Sequence, residues 1–195
     1  MGTVEWYLCI VNALGILLYL ADMRRHRRQT EDRLEPMDIP VMVFGLLGAA
    51  PGMLLVLLLA DRKSDKKNML VHVWTICITI LWILVLALWK HHADGWNFKV
   101  ISYLKERKWL LYYWALISVV TFVCFWLDKA RARKNGQRIP IVVLLGLGAI
   151  GGGLAGWGAM YLFRHKTKKA YFTVGMPLLI VVHITALFFA MNFRL

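Results

Sequence analysis

The chain is short of acid. Its 195 residues hold 11 Asp and Glu against 24 Lys and Arg, a formal net charge of +13. So few carboxylates give a hydrolase little to draw on, and no paired carboxylates of a general acid/base site are found. Cysteine is scarce too. Cys9, Cys77 and Cys124 each lie inside an apolar run with no partner nearby. No CxxC or Cys/His ligand spacing occurs, so the three read as packing residues, and neither metal nor cofactor is expected. Also missing are H-E-x-x-H, a nucleophile elbow and the phosphate-binding loop G-x-x-x-x-G-K-[ST]. The run G-A-I-G-G-G-L-A-G scans as a dinucleotide fingerprint, but no strand, Lys-Ser/Thr or ribose-binding acid accompanies it. Finally, no polar stretch is long enough to form a soluble domain that would present a nucleic-acid surface.

What fills the chain is apolar: 59% of residues, in runs of near twenty. Soluble domains carry roughly 45–50% and rarely such runs. The runs are 4–21, 39–60, 69–89, 109–127, 139–163 and 171–189, with the cations clustered between them as membrane loops place them. The first run is followed by Arg24, Arg25, Arg27 and Arg28, where a signal peptide puts its charges before the run. The same asymmetry expects the N-terminus outside. Between Lys90 and Arg107, Trp96, Val100, Tyr103 and Leu104 share one helical face, so a short interfacial helix is expected there.

Two glycine-rich runs match each other. Leu47-Gly48-Ala49-Ala50-Pro51-Gly52-Met53-Leu54 stands against Leu147-Gly148-Ala149-Ile150-Gly151-Gly152-Gly153-Leu154, with Ile39-Pro40 against Ile139-Pro140 at the same offset. With small insertions Asp22 faces Asp128, and Lys63-Ser64 faces Lys166-Thr167. The expected fold is an all-α polytopic membrane protein of two repeated units. Each unit has two full spans plus a glycine-rich helical segment that is broken and re-entrant. The breaks are placed at Pro51 and Gly52 in one copy, and at Gly151, Gly152 and Gly153 in the other. The alternative is six full spans with inverted repeats. Re-entrant runs put 18 Lys and Arg inside and 6 outside; full spans put 14 inside and 10 outside. The positive-inside rule favours the first. Residues 1–92 form the degenerate repeat, 93–107 the amphipathic linker and 108–195 the better-kept repeat.

The segment D128-K129-x-x-A132, R138-I139-P140, G151-G152 and F163-R164-H165-K166-T167-x-K169-x-x-F172 resembles the bacterial membrane family called domain of unknown function 1294. It departs from the family pattern at Ile141, where an acid commonly follows R-I-P. The resemblance implies an integral inner-membrane protein and no particular activity.

Function is then read from the residues. In a re-entrant hairpin Asp128, Lys129 and Arg138 share one membrane face with Arg164, His165, Lys166, Thr167 and Lys169. Such a site suits a phosphate or an anionic lipid head group, bound or translocated. Two alternatives stay open. One is an accessory subunit packing its glycine face (Gly148, Gly152, Gly156) on another membrane protein or a second copy. The other is a head-group enzyme using His165 with Asp128. His183, inside the last run, is an intramembrane polar candidate whose simpler role is a hydrogen bond to a backbone carbonyl. Asn12 and His72 are weaker cases of the same kind.

Overall fold

The computed structural model describes residues 2–26, 38–62, 66, 68–91, 96–134 and 136–192. Arg27, Arg28, Arg33, Lys63, Ser64 and Arg194 lie outside these, as does the expected pairing of Lys63-Ser64 with Lys166-Thr167. The described residues are all-helical, without a strand. Six helical stretches are, by length and composition, long and apolar enough to cross a membrane: Glu5–Arg24, Ile39–Leu59, Met69–Lys90, Lys108–Arg133, Ile141–Leu162 and Ala170–Asn192. They are compatible with a membrane location. The chain divides by its contacts into two units, Met1–Trp82 and Ile83–Leu195.

The first unit holds α1 (Thr3–His26), α2 (Asp38–Phe44), α3 (Ala50–Leu59) and the start of α4 (Met69–His91). A π-helical turn, Gly45–Ala49, joins α2 to α3, and within it Gly48 has φ 107°. That is left-handed backbone, open to glycine and strained for any residue with a Cβ. The helix axis breaks here. Pro51 and Gly52, expected at the break, instead open α3. Proline is at home in a first helical turn, where its missing N–H has no partner to lose.

The carbonyls and amides freed by the break are met by side chains of α1. Tyr7 donates to Leu47 O at 2.9 Å; Asn12 donates to Gly48 O at 3.1 Å and accepts from Gly52 N at 2.7 Å. The polar Asn12 inside an apolar helix is thereby explained: in hydrocarbon no water would satisfy that backbone. Around it Val11, Tyr19, Val41, Ala49, Met53, Val56, Leu57 and Val71 form the buried core of the unit.

The second unit holds α5 (Val100–Glu106), α6 (Lys108–Arg133), α7 (Ile141–Leu147), α8 (Gly153–Leu162), α9 (Ala170–Thr173) and α10 (Gly175–Asn192). The short α5 follows a non-helical lead-in, residues 96–99. Trp96 and Phe98 pack on Phe188 of α10, while Asn97 and Asn192 exchange two hydrogen bonds. A second π-helical turn, Gly148–Gly152, separates α7 from α8, with Gly151 at φ 124°. Of the three glycines expected to break this run, Gly151 takes the left-handed backbone, Gly152 is the N-cap of α8 and Gly153 starts α8.

Both ends of the run lie at one end of α6. Ile139 N donates to Asp128 Oδ1 at 2.8 Å, and Lys129 Nζ donates to Phe163 O. The middle of the run lies far from there, where the Tyr113 hydroxyl donates to Ile150 O. Tyr113 precedes Asp128 by 15 residues, ~22 Å along the helix. So α7 descends along α6, turns at Gly151, and α8 climbs back parallel to α6.

Candidate functional site

The site is built on one carboxylate. Asp128 sits in the last two turns of α6 with its side chain wholly buried. Ile139 N reaches Oδ1, while His165 Nε2 at 2.9 Å and Lys166 Nζ at 2.7 Å both reach Oδ2. These groups come from the entry to α7 and from the loop that leaves α8. A single carboxylate thus ties three chain segments together through three donors, and its charge strengthens each of these bonds.

The loop after α8 adopts a conformation that ordinary residues resist. Arg164 and Lys166 have φ of 46° and 63°. Left-handed backbone at residues with a Cβ persists only where the surroundings hold it. Asp128 does so for Lys166, whose ammonium also lies over the Phe172 ring at 4.8 Å. Burial lowers the pKa of Lys166 from its ordinary value. The bond and charge of Asp128 pull it back up, and the nearby charge of Arg138 pushes it down again.

The residues expected here therefore divide in two. His165, Lys166 and Lys129 are engaged inward, on Asp128 and on Phe163 O. Arg138, Arg164 and Lys168 are exposed at the same end, with Thr167 and Lys169 half-buried between them. His165 pairs with the acid 37 positions earlier in the chain, the contact that the head-group-enzyme alternative requires. His183 lies elsewhere, with its Nδ1 2.6 Å from Leu179 O, the carbonyl bond that was its simpler role. The glycine face is internal to the unit. A Cβ at Gly148 would meet Met176 and Leu179, one at Gly152 would meet Thr121, and one at Gly156 would meet Phe125 and Met176. Among the described residues no three His, Cys, Asp or Glu gather as metal ligands.

The family model described as "Protein of unknown function (DUF1294)" matches residues 118–172, from the middle of α6 through the α7–α8 pair to α9. The "Uncharacterized protein YsdA" of Bacillus subtilis (strain 168) is 39% identical over 70 residues, which is 36% of this chain and 79% of that relative. The chain belongs to the DUF1294 family. No solved structure matches it. The DUF1294 match contains every residue of the Asp128 cluster and stops before His183.

The first unit, outside the DUF1294 match, carries a different polar cluster. Asp61, just beyond α3, accepts from His72 Nε2 at 2.8 Å, Asn68 Nδ2 at 3.0 Å and Tyr19 OH at 3.4 Å. Here the acid follows the glycine-rich run, where in the second unit cations follow it. His72 had been noted, but Asp61, Asn68 and Tyr19 had not. The available signal was an acid directly ending an apolar run, 11 residues before a histidine.

Burial raises the Asp61 pKa, but the bond and charge of His72, with the bonds from Asn68 and Tyr19, outweigh it and hold the carboxyl below its ordinary value. A carboxyl depressed in the folded state contributes stability above its unfolded pKa, and loses it as pH falls through the folded value. Thermal unfolding of the full chain should therefore shift downward on acidification below about pH 4. Asp61→Asn should flatten that limb, and an unchanged acid limb in Asp61→Asn would refute the assignment.

Proposed function

We propose that this is an integral membrane protein that binds a phosphate-bearing anionic lipid head group at the Asp128 end of the second unit. In this reading each glycine-rich run is re-entrant, entering and leaving the bilayer on its own basic side. The protein sits in the bacterial inner membrane with the N-terminus outside and the Asp128 end facing the cytoplasm. The observation that supports it best is the meeting of Ile139, His165 and Lys166 on Asp128. It draws the basic segments at 138 and 164–169 together, and leaves Arg138, Arg164 and Lys168 outward for a ligand.

The division of labour is physical. Asp128 neutralises and orients the inner donors, so that burying them costs little. The outer guanidiniums present forked N–H groups matched to phosphate oxygens. Near an anionic leaflet each such cation contributes roughly 1 kcal/mol of attraction. The repeat is supported by a shared device. In each unit a tyrosine of the long helix before the run, α1 or α6, caps the carbonyl just before the left-handed glycine: Tyr7 for Leu47, and Tyr113 for Ile150. These glycines, Gly48 and Gly151, stand three positions off the register at which the runs match in sequence.

Reconstitution tests this reading. In proteoliposomes, single cysteines at Gln137 and Lys168 should label from the same side. Arg138→Glu with Arg164→Glu should reduce co-sedimentation with anionic-lipid vesicles several-fold, while the folded protein is recovered unchanged. Opposite-side labelling would sink the re-entrant form, and undiminished vesicle binding the head-group site. One observation favours a second reading, a head-group enzyme: Asp128 and His165 are within hydrogen-bond reach, as an acid/base pair requires. Head-group release from the same vesicles, abolished by His165→Gln, would replace binding with catalysis.

A further inference from the structure

The α7–α8 pair turns back before α6 and α10 do. Its tip meets α6 at Tyr113 and Trp114, so five residues of α6 run on toward Lys108, ~8 Å beyond the tip. The shortfall leaves a hollow of about 200 Å³ between α6, the tip and α10, lined by Trp114, Gly151, Leu154, Ile180, His183 and Leu187. The aromatic contacts of Trp96 and Phe98 with Phe188 lie one residue past Leu187 on α10. The glycine at the turn is what admits Trp114: a Cβ on Gly151 would come within 3.1 Å of the indole.

Histidine is the one side chain in this wall able to accept a strong hydrogen bond. Its Nδ1 faces the Leu179 carbonyl at 2.6 Å, and a carbonyl cannot donate, so Nδ1 carries the hydrogen. In the neutral ring Nε2 is then a bare lone pair. No described residue donates to it. Hydrocarbon would leave this lone pair unmatched, at the cost of an unmade bond in a medium without water. A charged or zwitterionic group is excluded by the otherwise apolar lining.

We propose that this hollow binds an apolar, membrane-dissolved molecule carrying a hydroxyl group, whose O–H donates to His183 Nε2 while its hydrocarbon lies against Trp114, Leu154 and Ile180. An aliphatic alcohol, such as a prenyl alcohol or a diacylglycerol, and a phenol, such as a hydroquinone, share that chemistry. The site is separate from the Asp128 cluster, 14 residues or ~21 Å away along α6. It stands whether or not that cluster binds lipid.

Trp114 is the reporter. The full chain in detergent micelles is titrated with a terminally brominated long-chain alcohol, with the brominated alkane of equal length, and with a bromoalkyl phenol. The quenching that disappears in Trp114→Phe is taken as the site's own. Wild type should favour alcohol over alkane about tenfold more than His183→Leu does, the worth of one hydrogen bond. His183→Gln, which keeps an acceptor, should retain part of that preference. The comparison between variants cancels the probes' different partitioning into micelles. Tighter quenching by the phenol than by the alcohol supports the phenolic source, and the reverse order the aliphatic one. Equal alcohol-to-alkane ratios in wild type and His183→Leu would overturn the proposal, as would quenching that Trp114→Phe leaves intact.

Discussion

Replacing Asp128 with alanine should cost about 3 kcal/mol of stability, the largest loss expected from any single polar residue of the second unit. The carboxylate is fully buried and collects three donors, so its removal strands the Lys166 ammonium, 14% exposed, and the amide of Ile139. The figure lies at the low end for a broken buried pair because Lys166 keeps some access to water. In thermal unfolding this is a drop of roughly 6–12 °C for a chain of this size. Lys166→Met alone should cost less, since Asp128 still receives Ile139 and His165. The double variant should be more stable than Asp128→Ala, because no stranded cation is left. A double variant as unstable as the sum of the singles would show that the two groups do not interact.

The second large effect is steric. Gly152→Ala would place a Cβ 1.9 Å from Thr121 Oγ1 and 2.8 Å from both Thr121 Cβ and Leu147 O. Thr121 has little freedom to yield, since it is buried in α6 and its hydroxyl donates to Ile117 O at 2.7 Å. Either α8 leaves α6 or the turn reopens. The expected result is a loss of about 3 kcal/mol or more, read as little folded protein by size-exclusion chromatography in detergent. Gly146→Ala and Gly158→Ala serve as controls. Both meet open space, and removing helical glycines there should be neutral or stabilising by up to about 1 kcal/mol. Equal yields of Gly152→Ala and Gly158→Ala would mean that α8 does not approach α6 as described.

The helices were legible because their signal is length. Six apolar runs bounded by charge leave little else for the backbone to do in hydrocarbon. The Asp128 cluster was legible as a set of residues but not as a geometry. The charge count favours the basic segments on either side of the apolar run sharing one face, but spacing does not show that Ile139 N and His165 both end on Asp128. The position of the first break was misjudged for a local reason. Proline and glycine both read as helix breakers, yet Pro51 fits the opening of α3, while Gly48 alone takes the left-handed backbone. Asp61 escaped notice because its polar neighbours are mainly cations and asparagine, and its partners Tyr19 and His72 lie in other helices. His183 stood out in the sequence as a polar residue inside an apolar run, but the hollow beside it did not. That hollow is a consequence of how far the α7–α8 pair descends.

The capped turns also carry an order in time. Tyr7 and Asn12 are made 40 and 36 residues before the carbonyls they cap, and Tyr113 comes 37 residues before Ile150. A ribosome therefore delivers each cap before the broken backbone that needs it. A turn that met lipid first would expose bare carbonyls, at several kcal/mol each. In this chain order each broken run can dock on a helix already in place. Moving the capping helix behind its run, as a circular permutation would, removes that protection during insertion while leaving every contact of the finished protein available.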